Sequence, residues 1–320
     1  MPNAYTSTAS TTLGGTVGSA GLVQKAYDRL VEFELRAQPL LRSVADKRPA
    51  RQAMPGSSVV LQTYNDLDVA KSTLTETVDP DSVALSTPNQ ITITLNEYGN
   101  AALVTRKLQL FSLADVDPAI ANIIAFNMAD SIDEVAQDAL LTGTNVLYAT
   151  GGTTTPTSTA DVAAEDTLSA ADIRKAVAKL RTNKAVGRKG SLYWVGIHPE
   201  VSHDLRAETG AASWRNPHEY QSNSEIWAGE IGQFEGAYFV ESPRMRVATD
   251  GASSAKVYRT IIAGKQALAE AVAEEPHTVI GPVTDKLMRF RPIGWYGVLG
   301  FGVYRNEAFY RIESGSSISV

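Results

Sequence analysis

Few side chains in this 320-residue sequence could carry chemistry. The only imidazoles are His198, His203, His218 and His277, and cysteine is absent. A zinc or iron site would have to rest on these histidines and on carboxylates such as Glu200 and Asp204, yet no spacing among them matches a ligand pattern. His198 directly precedes Pro199 and reads instead as a helix cap. Asp130, Glu134 and Asp138 recur every fourth residue, where like charges on one helix face repel by about 0.2–0.5 kcal/mol per pair. They could form a metal site or an acid/base pair. The preferred reading is neutralisation by Arg289, Arg291 and Arg311, with Asp133 on the opposite, solvated side of the helix. Phosphate-binding loops, nucleophile elbows, metalloprotease helices and calcium loops have no match here. No cofactor is expected.

These residues sit on a recognisable succession of elements. Residues 1–21 are a Thr/Ser/Gly/Ala tract too poor in large apolar groups to order itself, and are predicted to be a flexible arm, cut readily by proteases in free subunits. Val23, Tyr27, Leu30, Val31 and Leu35 recur at helical spacing within Leu22–Val44, with a break near Pro39, and the segment ends in a basic cluster of Arg36, Arg42, Lys47, Arg48 and Arg51. Strands are predicted at Ser58–Tyr64 and Gln90–Leu95. Between them runs an acidic polar stretch, Asn65–Asn89, carrying Asp66, Asp68, Glu76, Asp79 and Asp81 with Lys71 as its single base. So long a loop inside a compact domain usually holds something, and an isolated two-stranded ribbon is marginal in water, so residues 57–105 are read as one excursion that lies on another surface.

Asp117-Pro118 opens a long helix that Gly143 stops, striped by Ile120, Ile124, Met128, Ile132, Val135 and Ala139, and about 35–40 Å long. A low-complexity tract, Ala149–Thr167, is predicted to separate it from a helix opened by the capping box Ser169–Asp172. Strands follow at Leu192–Ile197, Ala237–Val240 and Lys256–Ile262, and the stretch from Lys286 to Ser314 is strand-rich, with a turn at Arg305-Asn306-Glu307.

Composition limits the function classes. Lys+Arg 29 against Asp+Glu 35 gives a formal charge of -6, which offers no general attraction for nucleic acid or anionic lipid. No apolar run approaches the roughly 20 residues of a spanning helix. Met1 to Gly21 lacks the basic and apolar regions of a signal peptide, so the expectation is a chain that stays in the compartment of its synthesis. A flexible arm, a coreless ribbon and a long helix together describe a subunit that is satisfied only when assembled.

Three segments carry a resemblance: AYDRLVEFELRAQPLLRSVADKRP (Ala26–Pro49), GEIGQFEGAYFVESPRM (Gly229–Met245) and GWYGVLGFGVYRNEAFYRIES (Gly294–Ser314). In their order and combination the chain resembles the major capsid proteins of tailed bacteriophages, which have the Hong Kong 97-like fold. The resemblance implies an α+β architecture with residues 1–21 as N-arm, 22–56 as N-terminal helix and linker, and 57–105 as the extended loop lying over a neighbouring subunit. It further implies residues 106–164 as a peripheral domain with Pro118–Leu141 as its spine helix, 165–285 as an α/β axial domain, and 286–320 as strands returning to the peripheral domain.

The function so implied is a non-enzymatic shell protein of the virion, assembled in the host cytoplasm into hexamers and pentamers around double-stranded DNA. Its partners would be other copies of itself, a portal protein at one vertex, and scaffolding and decoration proteins. DNA would be touched weakly and non-specifically, and no membrane is involved. A long scaffolding segment ahead of the N-arm, found in some relatives, is not apparent, which implies a separate scaffolding protein or a mature product. The acidic loop is expected to meet the basic cluster of another subunit. Some relatives also join loop and peripheral domain by an isopeptide bond, for which Lys71, Asn306 and Glu307, as amine, amide and base, are the residues available here. The alternatives are an encapsulin-like compartment enclosing cargo enzymes and, from another class, an enzyme using the spine carboxylates or His198.

Overall fold

The computed structural model describes residues 39–49, 58–111, 116–152, 155–208 and 232–319, without 65, 68, 72, 75, 78, 80, 81, 86, 283, 284, 286 and 288. The predicted arm, the helix from Leu22 to residue 38, and Arg36, Arg51, Asp68, Asp81 and His218 lie outside the described residues.

Two sheets and one long helix organise the chain. The first sheet has the order β1 (Asp46–Pro49), β11 (Leu268–Ile280), β12 (Phe290–Val303), β4 (Asn96–Thr105). The second runs β5 (Val146–Tyr148), β13 (Phe309–Ser314), β10 (Val257–Ala263), β6 (Tyr193–Ile197), β8 (Ala237–Glu241), β7 (Gln233–Phe234), with β9 (Val247–Ala248) beside β10. A separate ribbon pairs β2 (Ser58–Thr63) with β3 (Asn89–Thr94). The helices are α1 (Arg106–Phe111), α2 (Val116–Leu141), α3 (Ala170–Thr182) and α4 (Pro199–Ala207).

Local chemistry accounts for the helices. Ser169 accepts from the Asp172 N–H while Asp172 takes the Ser169 N–H, so α3 opens on a reciprocal cap. His198 caps α4, its Nδ1 accepting from the Glu200 N–H at 3.3 Å, with Pro199 in the first turn. α3 and α4 cover one face of the second sheet through Ile173, Val177, Leu180, Val201 and Leu205. α2 buries Ile124, Ile132, Ala136 and Leu140, while Ile123, Glu134 and Asp138 stay exposed. Its first half packs Ile124 on Val104, Ile293 and Trp295 of the first sheet. Its second half puts Ala136 and Leu140 against Leu41, Ile261, Leu268 and Phe309, closing the junction between the sheets.

Several expected boundaries are corrected by long-range pairing. Only residues 58–63 and 89–94 form the ribbon, because residues 96–105 join the first sheet as β4, in register with β12. The 286–320 region divides: β12 stays in the first sheet, but β13 inserts between β5 and β10 of the second, which also captures β5 from the 106–164 region. β11, inside 165–285, belongs to the first sheet. After Pro39, where a break is expected, residues 41–44 form a 3-10 turn. The tract 149–167 is no linker: Ala149 N–H donates to the Glu313 carbonyl, Ser158 and Asp161 cap each other, and Thr167 bridges to Gly315.

Candidate assembly surfaces

The carboxylates of α2 find cations, but on the segment after β8. Asp130 pairs with Arg244, and Glu134 and Asp138 lie 3.6 and 3.7 Å from Arg246. The expected partners are engaged elsewhere: Arg289 with Asp285 at 2.5 Å, and Arg311 with Glu313 at 2.9 Å and with the Leu141 carbonyl at 2.6 Å. Arg291 has no carboxylate partner among the described residues. Asp133 is not solvated. Its side chain is 3% exposed, its Oδ1 accepts the N–H groups of Leu40, Leu41 and Arg42 at 2.8, 2.5 and 3.3 Å, and its Oδ2 faces Arg244 Nε at 3.5 Å. One carboxylate thus ties the incoming chain and the segment after β8 to the long helix.

The described members of the basic cluster have partners within their own chain. Arg42 bonds the wholly buried Glu270 at 2.7 Å and Glu275 at 2.9 Å, and Lys47 reaches Glu275 at 3.3 Å. Burial alone would lower the Arg42 pKa, but the bonds to Glu270 and Glu275 outweigh it and raise it. At Glu275 burial favours the neutral acid, and Arg42 and Lys47 more than reverse that. The Arg48 guanidinium lies 5.4 Å over the Tyr304 ring. Within the chain Arg42 and Lys47 therefore tie the segment around β1 to Glu270 and Glu275 of β11, while Arg48 stacks on Tyr304.

The ribbon is seated through Ile93, Val59 and Leu61 on Ala269 and Ala271 of the first sheet. The approach is close: a Cβ on Gly300 would stand 2.0 Å from the Thr94 carbonyl oxygen. Beyond the ribbon, none of the excursion's described residues is buried. Tyr64, Leu67, Val69, Leu74, Val83 and Leu85 are 55–80% exposed. Asp66, Lys71, Glu76 and Asp79 are exposed with no ion pair among the described residues.

His198 caps α4 through Nδ1, and burial lowers its pKa despite Glu200 and Glu241. His203 sits beside Asp204, His277 beside Glu274, and no metal-binding group of His, Asp and Glu occurs among the described residues. Asn306 exchanges bonds with Thr144 through its side-chain amide, Glu307 is exposed, and neither contacts Lys71 within the chain. Glu313, fully buried, gathers Arg259, Arg311 and Thr159. Its readable signal was Arg311 two residues away on one strand face; Arg259, Arg244 and Arg246 carry no such local mark. Among the described residues no helix is long and apolar enough to cross a membrane.

Comparison with known proteins agrees on one architecture. A family model described as phage capsid protein matches residues 16–310. No curated protein matches the chain. Among solved structures, the cyanophage Pam1 capsid asymmetric unit is similar with a TM-score of 0.73 at 14% identity, covering 99% of this chain and 100% of that one. A Mycobacterium phage Che8 chain gives 0.66 at 18% identity over 91% and 96%. The acidic stable capsid of Helicobacter pylori bacteriophage KHP30 gives 0.67 at 12% over 93% and 97%.

Proposed function

The chain belongs to the phage capsid protein family, and from that premise we propose that it is the building block of a closed icosahedral head with the Hong Kong 97-like arrangement, forming hexamers and pentamers around double-stranded DNA. It works by packing and catalyses no reaction. In this reading the portal, scaffolding and decoration proteins are its other partners, DNA is touched weakly, and assembly takes place in the host cytoplasm.

The observation that carries the proposal is the excursion between β2 and β3. Six large apolar side chains there are more than half exposed, which a soluble monomer rarely tolerates over one short stretch. A neighbouring subunit would cover them. At about 25 cal/mol per Å2, burying even a few such side chains contributes several kcal/mol at each contact, and symmetry repeats the contact over the shell.

Deletion of residues 68–85 tests this. Subunits should stay folded, since no described residue of the segment is buried, and negative-stain microscopy should show no closed particles. Normal shells from the deleted chain would sink the reading. Particles containing protein cargo and no nucleic acid would favour an encapsulin-like compartment. Heating mature particles in detergent and reductant tests the Lys71–Asn306 crosslink with Glu307 as base: a ladder in multiples of 34.3 kDa abolished by Lys71→Ala establishes it, and a single band excludes it.

A further inference from the structure

Three turns from distant parts of the chain meet beneath the root of the ribbon and enclose a cleft of about 820 Å3. The first follows α3, the second joins β10 to β11, and the third joins β12 to β13. They are fastened to one another by main-chain bonds, Lys265 N–H to the Val186 carbonyl at 2.9 Å and Gly264 N–H to the Ala308 carbonyl at 2.8 Å. Each turn contributes one exposed cation to the rim: Lys184, Lys265 and Arg305. None has a carboxylate partner among the described residues, and Glu307, the single acid among the lining residues, pairs with none of them.

Lys184 is held in the left-handed region, at φ +57°, where the chain leaves α3. The electronegative C-terminal end of that helix favours a cation nearby. This is an unbalanced positive cleft in a chain whose net charge is -6.

The opposite charge lies on the excursion, where Asp66, Asp68, Glu76, Asp79 and Asp81 face only Lys71. The excursion leaves from the cleft's own wall, at Tyr64 and Asn89, and within one chain its described carboxylates remain unpaired. Arg42 is already committed to Glu270 and Glu275. We propose that the cleft bounded by Lys184, Lys265 and Arg305 receives the acidic excursion of a second copy of this chain. The inference rests on the chain being a shell subunit, and it deepens that reading by assigning the receiving surface.

Exposed ion pairs contribute about 0–1 kcal/mol each, so the cleft selects register and partner, while the apolar residues of the excursion supply most of the affinity.

The test uses assembled particles from a mixture of unlabelled and 15N-labelled subunits, coupled with a water-soluble carbodiimide. Peptides joining Glu76 or Asp79 to Lys184 or Lys265 are expected as light–heavy hybrids. Lys184→Asp with Lys265→Glu should abolish shells, as should Glu76→Lys with Asp79→Lys, and combining all four should restore them. Aspartate is chosen at residue 184 because it tolerates positive φ. Isotope-pure peptides only, or coupling of Glu76 and Asp79 to other lysines, would overturn the assignment whether or not the variants fold. So would normal shells from both double variants, or a Lys184/Lys265 variant that assembles but loses its DNA. If deletion of 68–85 still blocked assembly in those cases, the shell reading would stand and the cleft alone would be wrong; if the unmodified chain formed no particles, both would fall.

Discussion

A carboxylate that accepts main-chain N–H groups in the interior cannot be deleted without stranding their hydrogens. Asp133→Ala leaves the Leu40, Leu41 and Arg42 amides without their acceptor and takes a partner from Arg244, which should cost about 2–4 kcal/mol in urea unfolding of the free subunit. Asp133→Asn, which keeps an acceptor, should cost less. His198 makes a pH prediction. Burial holds its folded pKa below 6.5, so as pH falls through 6.5 the unfolded chain takes up the proton first and stability declines until the folded pKa is passed. His198→Asn retains a capping side chain without that proton, and its melting temperature should change less over the same interval than the parent's. At this scale the sequence was partly legible. The cap at His198 follows from the adjacent proline, but Asp133 was placed on a solvated face because helical periodicity shows a strip and cannot show that a distant segment returns to cover the other side.

At the scale of elements, α2 and the ribbon carry the predictions. Ile124 and Ile132 are 5% and 2% exposed, and truncating either to Ala should cost about 2–5 kcal/mol, read as a lower urea midpoint. Gly300→Ala places a carbon where the Thr94 carbonyl stands, so the ribbon root must shift, and faster amide exchange is expected in β3 than in β13. A helix cap for α3, strand alternation for β3 and a short apolar run for β6 made these elements readable because those signals are local. The exchange of β5, β11 and β13 between sheets was not, since FYRIES reads as a strand whichever partners it has. Burial on both faces, which would betray a central strand, is obscured by Arg311 and Glu313 until Arg259 is seen opposite.

Across the whole molecule, assembly driven partly by charge should weaken with salt, and light scattering should show slower particle growth as ionic strength rises above that at which the Debye length is about 10 Å. Subunits whose apolar excursion alone holds the shell would show no such dependence. The glycine seat of the ribbon acts on this scale as a fulcrum. About a dozen residues separate β2 from the middle of the excursion and as many separate that point from β3, and at roughly 3.3 Å per residue such a length of chain spans at most about 40 Å. A tilt of about 10° at the seat would then carry its far end some 7 Å, by the same strand geometry. The missing side chain at Gly300 thus fixes the angle of a lever, and in the proposed shell a single methyl group there is expected to misalign a contact with a neighbour it never touches.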